Sequence, residues 1–253
     1  MQRFKRALIL LVAATGLATC STLKTSPPTV EPQAQQLLRA MCSRLASARS
    51  FEFSVAASVD QRSADGQMMQ ASRQTRVLVR RPNAVAVQVA GDGGKWLLRY
   101  RGKELAVMRE DSGEYATTEA PGTIDAMLDF LYTSFGVEIP LADLLFADPY
   151  ASLTEHVESG VYLGRHSANG QMCDHLLFTQ GNVDWQIWID TGAKPLPRKI
   201  VITRKNERGA PEYVAEISGW NLSPSVPDEA FSFKAPAGAK AVDMATLCAE
   251  KGN

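Results

Sequence analysis

Three histidines, His156, His166 and His175, are the side chains in this sequence best suited to acid–base or metal chemistry. They fall in separate segments with no HExxH or paired-ligand spacing, so no zinc site is expected. Asp174-His175 sets an acid beside a base, yet neighbours on a strand point to opposite faces and cannot cooperate directly. His175 therefore reads as a packed or surface residue. A nucleophile elbow would need G-x-S-x-G between a strand and a helix, and no such string occurs. Gly91-Asp92-Gly93-Gly94-Lys95 resembles a phosphate loop only superficially, because the Walker length, the following Ser or Thr and the following helix are missing. It reads as a hairpin turn, and Glu110-Asp111 as solvated turn residues. No catalytic residue, no metal ligand and no cofactor is expected, and the chain is not read as an enzyme.

The four cysteines, Cys20, Cys42, Cys173 and Cys248, have no CxxC and no regular spacing. Cys42 and Cys173 read as small buried residues, although export would permit a disulfide whose connectivity the sequence leaves open. Export itself is written at the start. MQRFKR, then Ala7 to Ala18, then Thr19-Cys20 give a basic region, a short apolar run and a small-residue exit, which is a secretory signal over residues 1–20. The run is shorter than the ~20 residues that span a bilayer. Two processing routes fit. Cleavage can follow Gly16-Leu17-Ala18, or Leu17-Ala18-Thr19-Cys20 can serve as a lipobox with Cys20 lipidated, Thr19 departing from the usual small residue. The expected location is the periplasm, with anchoring to the outer membrane by the second route. A polar, Pro-rich tether follows over residues 21–31. The whole chain carries 27 basic and 27 acidic residues; loss of Arg3, Lys5 and Arg6 leaves 24 against 27, a net −3. That balance does not suit a nucleic-acid partner.

The elements that remain are mostly strands. Leu38, Met41, Cys42 and Leu45 recur at helical spacing between Pro32 and Arg49. From Phe51 the period changes to two, and strands are expected at Met68–Arg81, Ala84–Ala90, Lys95–Tyr100, Glu104–Arg109 and Glu114–Thr118, separated by Gly-containing turns. Thr123 caps a helix bearing Ile124, Met127, Leu128, Leu131 and Phe135, ended by Gly136. Leu141–Phe146 reads as a second short helix. Strands resume at Gly160–His166, Cys173–Thr179, Asp184–Asp190, Arg198–Lys205 and Glu212–Trp220, with a last at Phe231–Lys234. The expected fold is mainly β: a curled antiparallel sheet or incomplete barrel of about eleven strands with an N-terminal helix and a short helical insert.

Trp185, Ile187 and Ile189 share one face of their strand, while Trp188 lies with Asp184, Gln186 and Asp190 on a face expected to be wet. So many strands present more apolar face than two helices can fill unless the sheet curls, and a curled open sheet leaves a cavity. Its expected lining is Phe53, Val87, Trp185 and Ile187, with Met127, Leu131 and Phe135 on the insert as lid or as plug.

Gly122-Thr123-Ile124-Asp125, Ile139-Pro140-Leu141-Ala142-Asp143-Leu144, Cys173-Asp174-His175-Leu176, Val183 to Ile189 and Pro195-Leu196-Pro197-Arg198-Lys199 together resemble a bacterial family of predicted periplasmic proteins of unknown function, similar in fold to the lipoprotein carriers LolA and LolB. The resemblance spans residues 32–240 and leaves a tail at 241–253. It implies an incomplete barrel whose concave apolar face is covered by helices, a concavity the carriers use for acyl chains. Two functions follow as expectations. One is a non-catalytic envelope protein binding a lipid or an acylated protein. The other is a structural or interaction module with a self-filled core, whose exposed sheet edge pairs with an envelope protein partner.

Overall fold

A computed structural model describes residues 29–249. The export segment with Cys20, residues 21–28 of the tether and the end of the tail lie outside the described residues.

Helix α1 spans Pro32–Ala46. Pro32 stands in its first turn, where a missing N–H costs nothing, and Ala34, Leu38, Met41, Cys42 and Leu45 form its buried stripe. Burial pushes the Cys42 thiol up to about 12, Asp148 adding to the rise and Arg39 opposing it. The helix stops short of Arg49, because the Ser47 hydroxyl donates back to the Arg44 carbonyl at 2.8 Å.

The strands β1 (Ser50–Arg62), β2 (Met68–Arg80), β3 (Ala84–Gly91), β4 (Gly94–Arg101), β5 (Glu104–Arg109) and β6 (Glu114–Glu119) follow one another as antiparallel hairpins. Helices α2 (Ile124–Phe135) and α3 (Pro149–Thr154) then carry the chain to the far edge. There β7 (Ser159–Ala168), β8 (Gln171–Thr179), β9 (Val183–Asp190), β10 (Pro197–Arg204) and β11 (Glu212–Asn221) meander back until β11 pairs with β1. The β7–β8 turn shows why the punctuation was legible: Asn169 and Gly170 take φ of 50° and 72°, the two positive values that a two-residue hairpin requires. A short β12 (Lys240–Ala241) adds parallel to β6, and α4 (Met244–Ala249) closes the described chain.

The result is one 12-stranded sheet running from β12 at one edge through β1 to β7 at the other. The two edges do not pair, so the sheet is curled but open. The helices α1 to α4 lie against one face, where a single core gathers Phe51, Val79, Tyr100, Met127, Leu131, Phe178, Ile187 and Ile217. The other face carries two smaller clusters, Ala168, Cys173, Trp188 and Val201 near β7 to β10, and Ala84, Ala86 and Phe231 over β3.

Three expectations change. Phe231–Lys234 is not a strand: residues 228–231 make a 3-10 turn that docks Phe231 on Ala84 and Ala86, and Asp228 pairs with Arg80 at 2.6 Å. The second short helix shrinks to one 3-10 turn, Ala142–Leu144, because Leu141 holds a left-handed φ of 64°. Trp188 is not on a wet face. It is 9% exposed, stacked on His175 at 3.8 Å with the Lys199 ammonium 5.0 Å from its ring.

Candidate functional site

The inner face of the sheet between β1 and β5 is laid out in cross-strand rows. Phe53, Val77, Val87, Leu98 and Val107 stand opposite one another in one row, next to the fully buried row of Phe51, Val79, Val85, Tyr100 and Leu105. Two residues further along come Val55, Thr75, Val89, Trp96 and Arg109, and two further again Ala57, Arg73 and Gly91. Leu131 of helix α2 faces the Phe53 row. Thr123 Oγ1 accepts from the Ala126 N–H at 3.3 Å to start the helix, Gly136 ends it at φ 62°, and Ile124, Met127, Leu128 and Leu131 are its buried face.

Between sheet and insert lies a cavity of about 140 Å³. Its floor is Phe53, Val77, Val87, Leu98 and Val107, and its roof is Leu131, the segment Val137–Leu141 and Leu145, with Cys248 of α4 at one side. Val87, Val89, Trp96, Leu98 and Tyr213 stay only half-buried along it, so apolar wall is left facing open space. A volume of this size holds about one benzene ring, and pockets for extended ligands start near ~300 Å³. An acyl chain therefore enters only if the roof moves.

A second cavity of about 390 Å³ lies further round the same face, between Trp185, Ile200 and Ile202 of the sheet and Leu144, Phe146 and Leu153 above them. Leu141 lines both. A left-handed conformation costs a bulky residue about 1–2 kcal/mol, and here it holds a 7%-exposed side chain as the partition between two spaces. Leu141→Gly should join them. Its stability loss is expected to fall below the usual ~2–5 kcal/mol for a buried Leu truncation, since the strain is released. Palmitate affinity, read by calorimetry, should rise; unchanged affinity would show that Leu141 does not separate the cavities.

The insert is tied down at its base. The Asp125 carboxylate accepts from the Ala147 N–H at 3.0 Å, and Arg81 Nη1 donates to the Leu145 carbonyl at 2.6 Å. Burial lowers the Arg81 pKa, with Asp125 acting against that. The stretch from Gly136 to Leu141 lies between these ties and the end of α2, and by position it is the part of the roof that can move.

Of the residues nominated from sequence, Phe53, Val87 and Leu131 line the first cavity and Trp185 the second. Met127 and Ile187 are fully buried and line neither. Phe135 is half-buried, edge-on to Phe130 at 5.4 Å. The lipidation position Cys20 lies outside the described residues. Sequence reasoning missed Cys248, Arg73 and Tyr213, and also a histidine pair on the outer face. His166 Nδ1 and His175 Nδ1 are 3.0 Å apart, and His175 Nε2 lies 3.0 Å from Gln186 Oε1. The Gln oxygen keeps the proton on Nε2, so Nδ1 of His175 accepts. Burial holds the His175 pKa below its ordinary value; Gln186 raises it, while His166 and Lys199 lower it further. The sign follows from linkage: below about pH 6.5 the unfolded chain takes up a proton that the folded chain refuses, so stability falls as pH falls. Urea midpoints between about pH 7 and 5 should drop more steeply in the wild type than in His175→Gln.

Residues 34–245 match the model of a family described as "Predicted periplasmic protein (DUF2092)". No curated protein matches the chain. Among solved structures it is similar to an uncharacterized conserved protein from Thermus thermophilus, at 11% identity over 83% of this chain and 99% of that one, with a TM-score of 0.49. It is also similar to the Mycobacterium tuberculosis lipoprotein LppX, at 16% identity over 78% and 100% of the two chains with a TM-score of 0.48. For LprF from Mycobacterium bovis the values are 13%, 80%, 99% and 0.48.

Proposed function

The chain belongs to the DUF2092 family of predicted periplasmic proteins, and from that premise we propose that it is a non-catalytic periplasmic binder of an apolar chain, carried by a lipid or an acylated protein. One observation carries this: Val87, Val89, Trp96 and Leu98 form a continuous apolar wall left half-buried inside the fold. A self-filled core would have covered them, because leaving apolar area wet forgoes about 25 cal/mol per Å². Tethering through a lipidated Cys20 would hold such a binder at a membrane surface.

The edge strand bears on the rival function of pairing with a protein strand. Among the described residues, edge β7 is met by backbone at its start, where Val30 bridges Gly160. Beyond it the register breaks between Tyr162 and Gly164, and such a bulge disfavours an added strand. Native mass spectrometry of protein taken from its own envelope tests the proposal. A co-purifying mass of lipid size supports it; a co-purifying protein, or the bare chain under conditions that preserve known lipid complexes, counts against it.

A further inference from the structure

The cavity wall grades from hydrocarbon to charge in one direction. Its deepest row is wholly apolar, the next mixes Thr75 and Trp96 with Val55 and Val89 and ends in Arg109, which stands over the Trp96 ring outside the cavity lining, and the third presents Arg73. Rows two residues apart are separated by about 7 Å along a strand, so Arg73 stands about 13 Å from the hydrocarbon floor. Among the described residues that line the cavity, Arg73 is the one cation. Its guanidinium lies 6.0 Å from the Tyr213 ring centre, and no ion pair within the described residues occupies it.

The space beside Arg73 is kept bare by the backbone. Gly91 stands opposite it in the register, and a Cβ there would come within 2.2 Å of the Ser72 carbonyl oxygen and 2.7 Å of the Arg73 Cα. Position 91 therefore brings no side chain beside Arg73, and the neighbouring Asp92 carboxylate is engaged by the Ser72 N–H at 2.6 Å. Glu138, the one acid lining the cavity, is exposed on the roof segment, where water screens it.

We propose that Arg73, beside the bare backbone of Gly91, is a head-group site, so that the cavity takes an amphiphile with an anionic head, a carboxylate or a phosphate, and an apolar chain. This rests on the proposal that the cavity binds an apolar chain. The guanidinium fork matches either head bidentately, and the gradient fixes polarity: head at Arg73, chain running inward under Leu131.

Calorimetry on the full chain with laurate, dodecyl phosphate, dodecanol and dodecyltrimethylammonium, each below its micelle concentration, tests it. Laurate or dodecyl phosphate should bind about ten-fold more tightly than dodecanol, and whichever is tighter identifies the source of the head. Dodecyltrimethylammonium should bind more weakly than dodecanol. Arg73→Gln should bring the anion down to the dodecanol value while leaving dodecanol itself unchanged, which also shows that the variant is folded, and Arg73→Lys should restore part of the difference. Equal binding of anion and alcohol, or an anion affinity untouched in Arg73→Gln, would overturn the head-group site and leave the apolar-chain proposal standing. Failure of all four probes would remove both.

Discussion

Truncating Trp185 to Ala is expected to lower the free energy of unfolding by about 3–5 kcal/mol, the range for large aromatic truncations in a core that relaxes only partly. Trp185 is 5% exposed, stacks on Phe178 at 4.3 Å, and forms part of the floor beneath Leu144 and Phe146. The informative comparison is Trp188→Ala on the opposite face. Exposed substitutions rarely exceed ~0.5 kcal/mol; with its ring stacked on His175 and covered by Lys199, Trp188 should lose clearly more. Urea unfolding with unchanged m-values measures both. A Trp188→Ala loss within ~0.5 kcal/mol would show that the outer cluster gives no effective cover.

The second large effect separates packing from binding. Leu131 is 1% exposed and roofs the cavity, whereas Leu38 is fully buried on α1 and lines neither cavity. Either residue replaced by Ala should cost about 2–5 kcal/mol. Only Leu131→Ala enlarges the space available to a chain without moving α2. At about 100 times its Kd a ligand adds about 2.7 kcal/mol to stability. At one fixed laurate concentration the gain should therefore be larger for Leu131→Ala than for wild type or Leu38→Ala. Equal gains in all three would mean that laurate does not sit under Leu131.

What could be read in the sequence was what local chemistry decides. Asn169-Gly170 announced its hairpin because two positive φ values are cheap there, and Thr123 and Gly136 bounded α2 because their caps are local. Periodicity put Trp185 and Trp188 on opposite faces correctly. It could not tell that His175, Cys173 and Val201 cover the outer one, since cover depends on partners across the sheet. Phe231-Ser232-Phe233 alternates like a strand, yet its neighbours are Ala84 and Ala86, small residues on β3 that leave room for a ring. The six residues of α4 gave too short a pattern to reveal that Met244, Leu247 and Cys248 are buried against the core. Arg73 looked like any polar residue of an alternating strand. Its place in the site follows from the register with Gly91 and from the inward curl of β2, and neither is local.

The chain-binding proposal requires the roof segment Gly136 to Leu141 to open while the sheet stays folded. Hydrogen exchange with and without laurate measures this directly. The amides of that segment should exchange well before those of β1 and β11 in the free protein, and should slow when laurate is present. Roof amides as protected as the β1 and β11 amides, with no change on adding laurate, would contradict it, and the insert would then be a fixed part of a self-filled core.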